Sequence, residues 1–385
     1  NNANPASISS NGAGGNQLFV VSGGSGYTYN LSTAAFAVIS DGDFPASVVM
    51  GAFADGYFLV LKNESTQFSW SDLNNGVSWP TASFATKSQS SDNVRTLIVD
   101  HKEVWLFGSQ ATEVWYDTGD PTNPFAPVQG VLIEHGIGPA FSAAKVNNTL
   151  CWIGEDVEGA RIAWWAEGYT PRRFSTHAVE EAWASYSNID DGIGWGYQEN
   201  GHSFYVVTFL SANRTWVFDF STQMWHERLY FDGPTAAWAA HYARNHVFGF
   251  GLHLVGSRID GTLYKQSTDI YADSGNAIKR VRRSAHVDND LQLIYYHSFE
   301  LVFQPGQGLT TGQGSAPQVM LRWSDDGGYT WSNEHWVSVG ARGVYSTRAL
   351  WRRLGRSRQR VWELSMSDPI PLSWIDAILD VESAA

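Results

Sequence analysis

One phrase recurs along residues 18–267: an apolar strand, a polar turn, a second apolar strand, another turn, and a strand that ends in aromatic side chains. Matching the third strand of each copy gives positions that lie 42 to 54 residues apart, namely Tyr27, Ser69, Trp115, Ala163, Val217 and Tyr264. That period is the length of a four-stranded propeller blade. Since one blade cannot bury both of its faces but blades arranged radially can, the repeat predicts a β-propeller of six blades, with seven as the alternative.

The composition is typical of an all-β chain. Aromatic residues make up 14% of the 385 residues and include 18 Trp, whereas charged residues make up only 16%, below the usual quarter. Aromatic side chains favour strands and fill the space between sheets. The single cysteine, Cys151, excludes an intramolecular disulfide framework, so packing or partner subunits must provide the stability. No apolar run approaches the length of a membrane span, so we expect a soluble protein that does not insert into membranes.

The net charge of −13 is unevenly distributed along the chain. Residues 1–267 carry 13 basic and 25 acidic side chains, whereas residues 268–385 carry 12 basic and 13 acidic ones. This shift predicts a boundary after residue 267, between the propeller over 18–267 and a small antiparallel β unit over 268–385. The polar N-terminus, rich in Gly, Ser and Asn, predicts a flexible segment over 1–17. The acidic balance argues against a general nucleic-acid-binding surface, although a neutral or acidic wall would let DNA slide past.

The C-terminal part contains a hairpin, residues 318–336, whose turn fits the Asp-box pattern. The matching residues are Ser324, Asp326, Gly328, Thr330 and Trp331. Alternating apolar residues before the turn predict a half-buried strand, and glycine in the turn permits positive φ. We expect the Asp326 carboxylate to accept hydrogen bonds from the amides of its own turn while Trp331 folds back over it. The Asp-box is therefore interpreted as a structural turn.

Two further segments have local signals. Residues 176–191 have helical propensity and predict one short helix at a blade edge. Residues 349–351 and 361–364 predict two strands that flank a turn at Leu354 and Gly355.

A search for catalytic patterns finds no phosphate-binding loop, no zinc-binding histidine pair on a helix and no nucleophile elbow. Adjacent acids at Glu180-Glu181, Asp190-Asp191 and Asp325-Asp326 could supply glycosidase carboxylates, but neighbours in a strand point to opposite faces. We therefore predict no enzyme activity, no catalytic residues, no metal site and no cofactor. A sialidase-like glycoside hydrolase or a carbohydrate-binding lectin on a propeller is the alternative, although a sialidase would need converging arginines and several Asp-boxes.

Basic residues cluster in the C-terminal part, and three roles compete for them: a subunit interface, contact with DNA phosphates, and a solvated surface. We favour the interface, because the rest of the chain carries the opposite charge. The candidates for a subunit interface or a DNA-facing surface are Lys279, Arg280, Arg282, Arg283, Arg352, Arg353, Arg356, Arg358 and Arg360.

Three C-terminal segments, residues 276–287, 318–340 and 349–369, resemble the C-terminal region of bacteriophage packaged-DNA stabilisation proteins, which are the tail hub or nozzle subunits of short-tailed phages. Upstream the resemblance is looser and rests on NNTLCWIG and WVFDFSTQMW. The resemblance implies a structural virion protein, assembled in the host cytoplasm into the short tail. It implies a homo-oligomeric ring, generally of six subunits, beneath the portal and the head-to-tail adaptor. Such a ring extends the DNA channel, retains the packaged genome and anchors a needle, plug or fibres.

For the function, the resemblance implies only transient, non-specific contact with packaged double-stranded DNA. A stiff propeller without a catalytic constellation suits that mechanical role. Two hypotheses therefore stand, a ring-forming structural protein and a monomeric propeller that binds or cleaves sugars.

Overall fold

A computed structural model describes residues 4–155 and 161–383 of the chain. The chain divides into two compact units. The first comprises Asn1–Leu229 and Ala240–Lys265, and the second comprises Tyr230–Ala239 and Gln266–Ala385. Both units are built from antiparallel strands, with two short helices, α1 (Gly12–Gly15) and α2 (His177–Ala184), in the first. The all-β prediction is confirmed.

In its described residues, the first unit contains six antiparallel sheets that follow one another along the chain. The first sheet has β1 (Ser7–Ser10), β2 (Gln17–Ser22), β3 (Ser25–Asn30) and β4 (Ala35–Val38), and the second has β5 (Val48–Ala54), β6 (Tyr57–Lys62), β7 (Gln67–Trp70) and β8 (Phe84–Thr86). The third has β9 (Val94–Asp100), β10 (Glu103–Gly108), β11 (Thr112–Asp117) and β12 (Phe125–Ile133), and the fourth has β13 (Ala144–Val146), β14 (Thr149–Glu155), β15 (Arg161–Glu167) and β16 (Thr170–Arg173). The fifth has β17 (Gly192–Glu199), β18 (His202–Phe209), β19 (Arg214–Asp219) and β20 (Met224–Glu227), and the sixth has β23 (Ala243–Gly249), β24 (Leu252–Ser257) and β25 (Leu263–Gln266).

The predicted repeat matches the observed order of strands within each sheet. All six marker residues lie in the third strand of their sheet: β3, β7, β11, β15, β19 and β25. The first sheet begins earlier than predicted, since β1 lies within the segment 1–17 for which we expected flexibility. Its residues pair in register with β2, from Ser7 opposite Val21 to Ser10 opposite Leu18.

Consecutive sheets of the first unit pack face to face through apolar cores. Between the first and second sheets, for example, Phe19 lies 5.2 Å from Phe58, measured between ring centroids. Between the third and fourth sheets, Phe107 lies 5.2 Å from Trp152. The aromatic residues counted in the sequence therefore serve as the filling between sheets, as the composition indicated.

Helix α2 packs on the core between the fourth and fifth sheets. Thr176 caps its N-terminus, where the threonine hydroxyl accepts a hydrogen bond from the Val179 amide at 3.4 Å. Val179 and Trp183 are its buried residues, spaced to lie on one face. The helix predicted within 176–191 is confirmed, but it ends at Ala184.

The second unit is a two-layer sandwich. One sheet has the order β28 (Arg280–Arg283), β35 (Gln359–Met366), β31 (Gln318–Ser324) and β32 (His335–Ser338), and β29 (Val287–Asp288) also pairs with β35. In the other sheet, β30 (Ile294–Phe303) pairs with β33 (Ala349–Arg352), β34 (Arg356–Ser357) and β36 (Trp374–Ser383). Two short hairpins complete the strands, β21 (Leu229–Asp232) with β22 (Ala237–Ala240) and β26 (Ala272–Asp273) with β27 (Asn276–Ala277). The layers share one core, in which Phe299 of β30 lies 5.2 Å from Trp362 of β35.

The strands predicted at 349–351 and 361–364 exist as β33 and β35, but they belong to different sheets. Between them the chain crosses from one layer to the other. Arg353 and Gly355 have φ values of 61° and 81°, and the buried Leu354 between them points into the core. After this turn β34 still pairs with β30, so the chain crosses to the other layer between Ser357 of β34 and Gln359 of β35.

No helix among the described residues is long and apolar enough to cross a membrane.

Candidate functional site

A cavity of about 770 Å³ lies in the first unit where the leading strands of the sheets converge. Side chains and backbone from β1, β5, β9, β17 and β23 line it, together with Lys145 of β13. A concave cavity with a few polar groups among apolar ones is the first place to look for a ligand or an active site.

The lining of the cavity is unsuited to acid–base hydrolysis. It includes two cationic residues, Lys145 and Arg244, and several hydroxyl or amide side chains, but none of its lining residues is Asp or Glu. Glycoside hydrolysis ordinarily uses a pair of carboxyl groups that flank the scissile bond. Among the described residues, the cavity lining therefore provides neither an acid to donate the proton nor a base to activate water.

The adjacent acid pairs found in the sequence have structural partners instead. Glu180 accepts hydrogen bonds from Arg173 and Ser175, next to the start of α2. Asp191 accepts from the Ser211 amide at 2.5 Å, and Asp325 forms an ion pair with Arg360. Among the residues that the structure describes, no group of three or more His, Cys, Asp or Glu is placed to hold a metal ion.

Three histidines, His241, His246 and His253, lie in or next to the sixth sheet. Burial, together with the nearby Arg228 and Arg258, lowers the pKa of His241 to about 3, so its ring is neutral near pH 7. His246 and His253 lie on neighbouring strands, with 2.9 Å between Nε2 and Nδ1. Burial, and then the charge of His253, lowers the pKa of His246.

The Asp-box turn connects β31 to β32, which pair antiparallel. The Thr330 amide and hydroxyl donate to the two carboxylate oxygens of Asp326 at 2.9 and 2.6 Å. The Ser324 hydroxyl donates to the same carboxylate at 2.6 Å and accepts from the Gly328 amide at 2.8 Å. Hydrogen bonds from Ser324 and Thr330 hold the pKa of Asp326 well below its ordinary value.

Trp331 closes the Asp-box turn and links it to the sheet below. Its indole N–H donates to the Gly328 carbonyl at 3.0 Å. The guanidinium groups of Arg283 and Arg322 lie over the ring at 5.1 and 4.7 Å from a ring centroid. Both arginines also bind the buried Glu363, each with a 2.5 Å hydrogen bond. Burial raises the pKa of Glu363, but these two arginines outweigh it and leave the pKa below its ordinary value.

Arg360 departs from the prediction of an interface or DNA-facing residue, because its side chain is only 2% exposed. Its guanidinium forms two hydrogen bonds to Asp325, at 2.6 and 2.9 Å, and one to the Leu354 carbonyl at 2.5 Å. It also lies over the rings of Tyr296, Trp323 and Trp362 at 4.4, 5.1 and 5.0 Å. Arg360 is therefore a core residue of the sandwich, and no partner can reach it in this arrangement.

The other basic candidates differ in their exposure and partners. Arg280 is half-buried and donates to the carbonyls of Asp368 and Ile370. Lys279 lies 3.9 Å from Glu334, Arg358 donates to the Leu291 carbonyl, and Arg356 lies over Tyr295. Arg282, Arg352 and Arg353 are exposed, and none of the three forms an ion pair with another described residue.

Comparison with protein-family models assigns both units. Residues 7–271 match the model described as bacteriophage P22 Gp10, beta-propeller, and residues 279–382 match the one described as bacteriophage P22 Gp10, beta-sandwich. The chain belongs to the bacteriophage P22 Gp10 family. It is a packaged-DNA stabilisation protein, a structural component of the phage tail hub that interacts with other tail and portal parts of the virion. The propeller, the C-terminal antiparallel unit and the resemblance predicted from the sequence are thereby confirmed.

A comparison with curated proteins found no match for this Gp10-family chain. Among solved structures it is similar to an exo-beta-1,3-galactanase from Phanerochaete chrysosporium, at a TM-score of 0.34 and 11% identity over 99% of this chain and 96% of that one. It is also similar to the hydrazine synthase of Kuenenia stuttgartiensis, at a TM-score of 0.40 and 13% identity over 65% of this chain and 73% of that one. The N-terminal domain of Nup159 gives a TM-score of 0.38 and 10% identity over 64% and 72%.

One buried polar network was not predicted. Lys87 has no exposed side-chain surface and pairs with Asp92, while the fully buried Glu113 accepts from the amides of Gln89 and Ser90 at 2.7 and 3.1 Å. The network fixes the loop between β8 and β9 on the third sheet. The loop residues are neighbours in sequence, but Glu113 lies 24 residues beyond Gln89, so only the fold brings it to the loop.

Proposed function

We propose that this protein assembles into a homo-oligomeric ring of six subunits in the short tail, beneath the portal and the head-to-tail adaptor. The ring extends the DNA channel, retains the packaged genome and anchors a needle, plug or fibres beyond it. It is assembled in the host cytoplasm and acts mechanically, without catalysing a reaction.

The size of the central cavity supports a ring of several subunits. A sphere of 770 Å³ is about 11 Å across, less than the roughly 12 Å width of the major groove alone. A DNA duplex therefore cannot pass along the axis of one propeller. A channel for DNA requires several copies arranged around a common axis.

The chemistry of the same cavity carries the non-enzymatic part of the proposal. The lining residues include no Asp or Glu, whereas a sialidase-like or other glycoside hydrolase needs carboxyl groups at the reacting bond. The propeller is instead filled with aromatic cores that make it stiff.

We propose six blades, since six sheets follow one another and their leading strands converge on one cavity. We also propose that the propeller ends near residue 267, as the charge distribution predicted. The five Asp-box residues form a structural turn in this proposal. The exposed Arg282, Arg352 and Arg353 contact a neighbouring subunit and, transiently and without sequence preference, the DNA.

The mass of the assembly that the purified chain forms in solution tests the proposal. Light scattering and negative-stain images are expected to show a closed ring of six copies, and a panel of glycosides should show no turnover. A chain that stays monomeric at micromolar concentration, or that hydrolyses a glycoside in its central cavity, would overturn it.

A further inference from the structure

The second layer of the sandwich has an outer face that the core does not use. Its strands lie in the order β33 and β34, then β30, then β36, and among the described strands each outer strand pairs only with β30. Phe299, Trp351 and Leu379 point to the core. The alternate residues of the same strands therefore lie on the outer face, and both sides of the sheet are open.

A basic strip runs along one side of this face. Arg352 of β33 lies opposite Ser298 of β30, and Arg356 of β34 lies opposite Tyr295. Both arginines are exposed, and neither forms an ion pair with another described residue. The basic strip, Arg352 and Arg356, therefore has no carboxylate partner in this part of the chain.

An acidic strip, Asp380 and Glu382 of β36, runs along the other side. These two residues lie opposite Ser298 and Tyr295, the same residues of β30 that the basic strip faces. Both acids are exposed, and Glu382 has His297 at 3.3 Å as its nearest cation. The two strips are two strand spacings apart, about 10 Å, and no ion pair bridges them within one copy.

The two sides of the face match row by row. Each row that has an arginine on one side has an acid on the other, since both strips share their partners on β30. In the next row, Leu350 and Ile378 lie on either side of Glu300, which Arg348 neutralises with two hydrogen bonds of 2.6 Å. A sideways shift of three strand spacings, about 14 Å, therefore sets the basic strip of one copy beside the acidic strip of another and Leu350 beside Ile378.

We propose that the basic strip packs beside the acidic strip of a second copy of this chain. This inference rests on the proposed homo-oligomeric ring and names one contact within it. The contact joins two unlike sides of one sheet, so it is heterologous, and such contacts close into rings when the rotation between copies allows it. Every copy then offers its acidic strip to one neighbour and its basic strip to the other.

Charge complementarity assigns the face to a second copy. Packaged DNA would be attracted by one strip and repelled by the other, so a lasting occupant of the face carries both signs of charge. A partner surface with acids alone would satisfy the basic strip and repel the acidic one. The chain itself supplies both signs at the matching heights along the strands, and in a closed ring no strip is left without a partner.

Charge reversal in the full chain tests the contact. One variant carries Arg352→Glu with Arg356→Glu, the other carries Asp380→Lys with Glu382→Lys, and sedimentation at low salt measures association. Each reversal is expected to raise the dissociation constant of the oligomer about tenfold or more, because strips of like charge then meet. An equimolar mixture of the two variants, and a single chain with all four substitutions, should both return it to within about threefold of the wild type.

Net charge cannot produce this pattern of results. Reversal of the acidic strip makes the net charge of −13 less negative and so weakens the general repulsion between copies, yet it should weaken association. For reversal of the basic strip, Lys102→Glu with Arg172→Glu is the matched control, because it changes the charge equally at side chains that are 82% and 59% exposed. The control should associate like the wild type. All the substituted positions are exposed, so circular dichroism should show an intact fold.

A reversal that associates like the wild type would overturn the inference, as would a chain with all four substitutions that associates no better than the single reversals. Recovery that stops at dimers would also overturn it, because two copies paired face to face about a two-fold axis form a closed pair. In each of these cases a wild-type ring leaves the proposed function standing. A monomeric wild type removes the proposed function as well.

Discussion

Replacing Asp325 with alanine is expected to destabilise the second unit much more than the loss of an ordinary surface ion pair. Asp325 itself is 44% exposed, but its partner Arg360 is only 2% exposed. The substitution therefore leaves a buried guanidinium with one carbonyl acceptor, Leu354, and three aromatic rings. An unpaired buried charge of this kind costs about 3 kcal/mol, whereas an exposed pair contributes about 0–1 kcal/mol.

The reverse substitution, Arg360→Met, should cost less. Asp325 can be hydrated once its partner is gone, and methionine fills the space beside Tyr296 and Trp362. The remaining losses are one donor to the Leu354 carbonyl and the cation–π contacts, about 1 kcal/mol each before the gain from apolar packing. We expect a net cost of about 1–2 kcal/mol. The double variant should cost no more than Arg360→Met alone, which gives a coupling of about 3 kcal/mol.

Scanning calorimetry of the full chain checks these values. At about 4 °C per kcal/mol for a unit of this size, Asp325→Ala should lower the melting temperature of the affected transition by about 10 °C. A decrease of less than about 2 °C, or an Arg360→Met variant that is less stable than Asp325→Ala, would show that burial of the guanidinium does not control this pair.

Three further predictions concern other contacts. Asp92→Ala should lower the free energy of unfolding of the first unit, measured by urea denaturation, by about 3–5 kcal/mol, because it leaves the buried Lys87 without its ion-pair partner. The control Arg172→Ala breaks an exposed pair with Glu167 and should cost less than about 1 kcal/mol. Trp331→Ala should lower the free energy of unfolding by about 2–3 kcal/mol, because it removes two guanidinium stacks and one hydrogen bond. Trp331→Phe keeps a ring for the stacks and should cost only about 1 kcal/mol. Equal costs of the two substitutions would contradict the stacking. The pKa of Asp326 in the folded protein lies below its ordinary value of 3.8, so its ionised carboxylate stabilises the fold above that pH and the stabilisation is lost as pH falls below it. The melting temperature should therefore decrease below about pH 4, and it should decrease less in Asp326→Asn.

The sheets were predictable because their signals are local and repeated. Hairpin turns and alternating strands recur at a blade-sized period, so residues such as Trp115 and Val217 identified the third strand without any knowledge of tertiary contacts. The Asp-box could also be recognised from local sequence, because Ser324, Asp326 and Thr330 form their hydrogen bonds within one turn. The start of the first sheet was missed because β1 is short and rich in serine, and its pairing with β2 supplies the order that its composition does not indicate.

The arginines show what a sequence cannot provide. Arg358 and Arg360 are two residues apart in one basic run, yet Arg358 is exposed and Arg360 is in the core. Arg358 lies in the crossing between β34 of one layer and β35 of the other, whereas Arg360 lies within β35 with its guanidinium over Tyr296 and Trp362. Charge clustering alone therefore overestimated the basic surface. Arg282, Arg352 and Arg353, which are exposed and form no ion pair with another described residue, are the part of that prediction that best fits a contact with a partner.

The net charge gives the proposed ring a testable dependence on salt. Copies that each carry a net charge of −13 repel one another at low salt. Adding salt screens this repulsion and strengthens apolar burial. A ring held by buried apolar surface should therefore tighten as ionic strength rises, whereas one held by pairing of the exposed arginines with the acidic propeller should loosen. Sedimentation at low and high salt distinguishes the two, and dissociation at high salt would assign the contact to Arg282, Arg352 and Arg353.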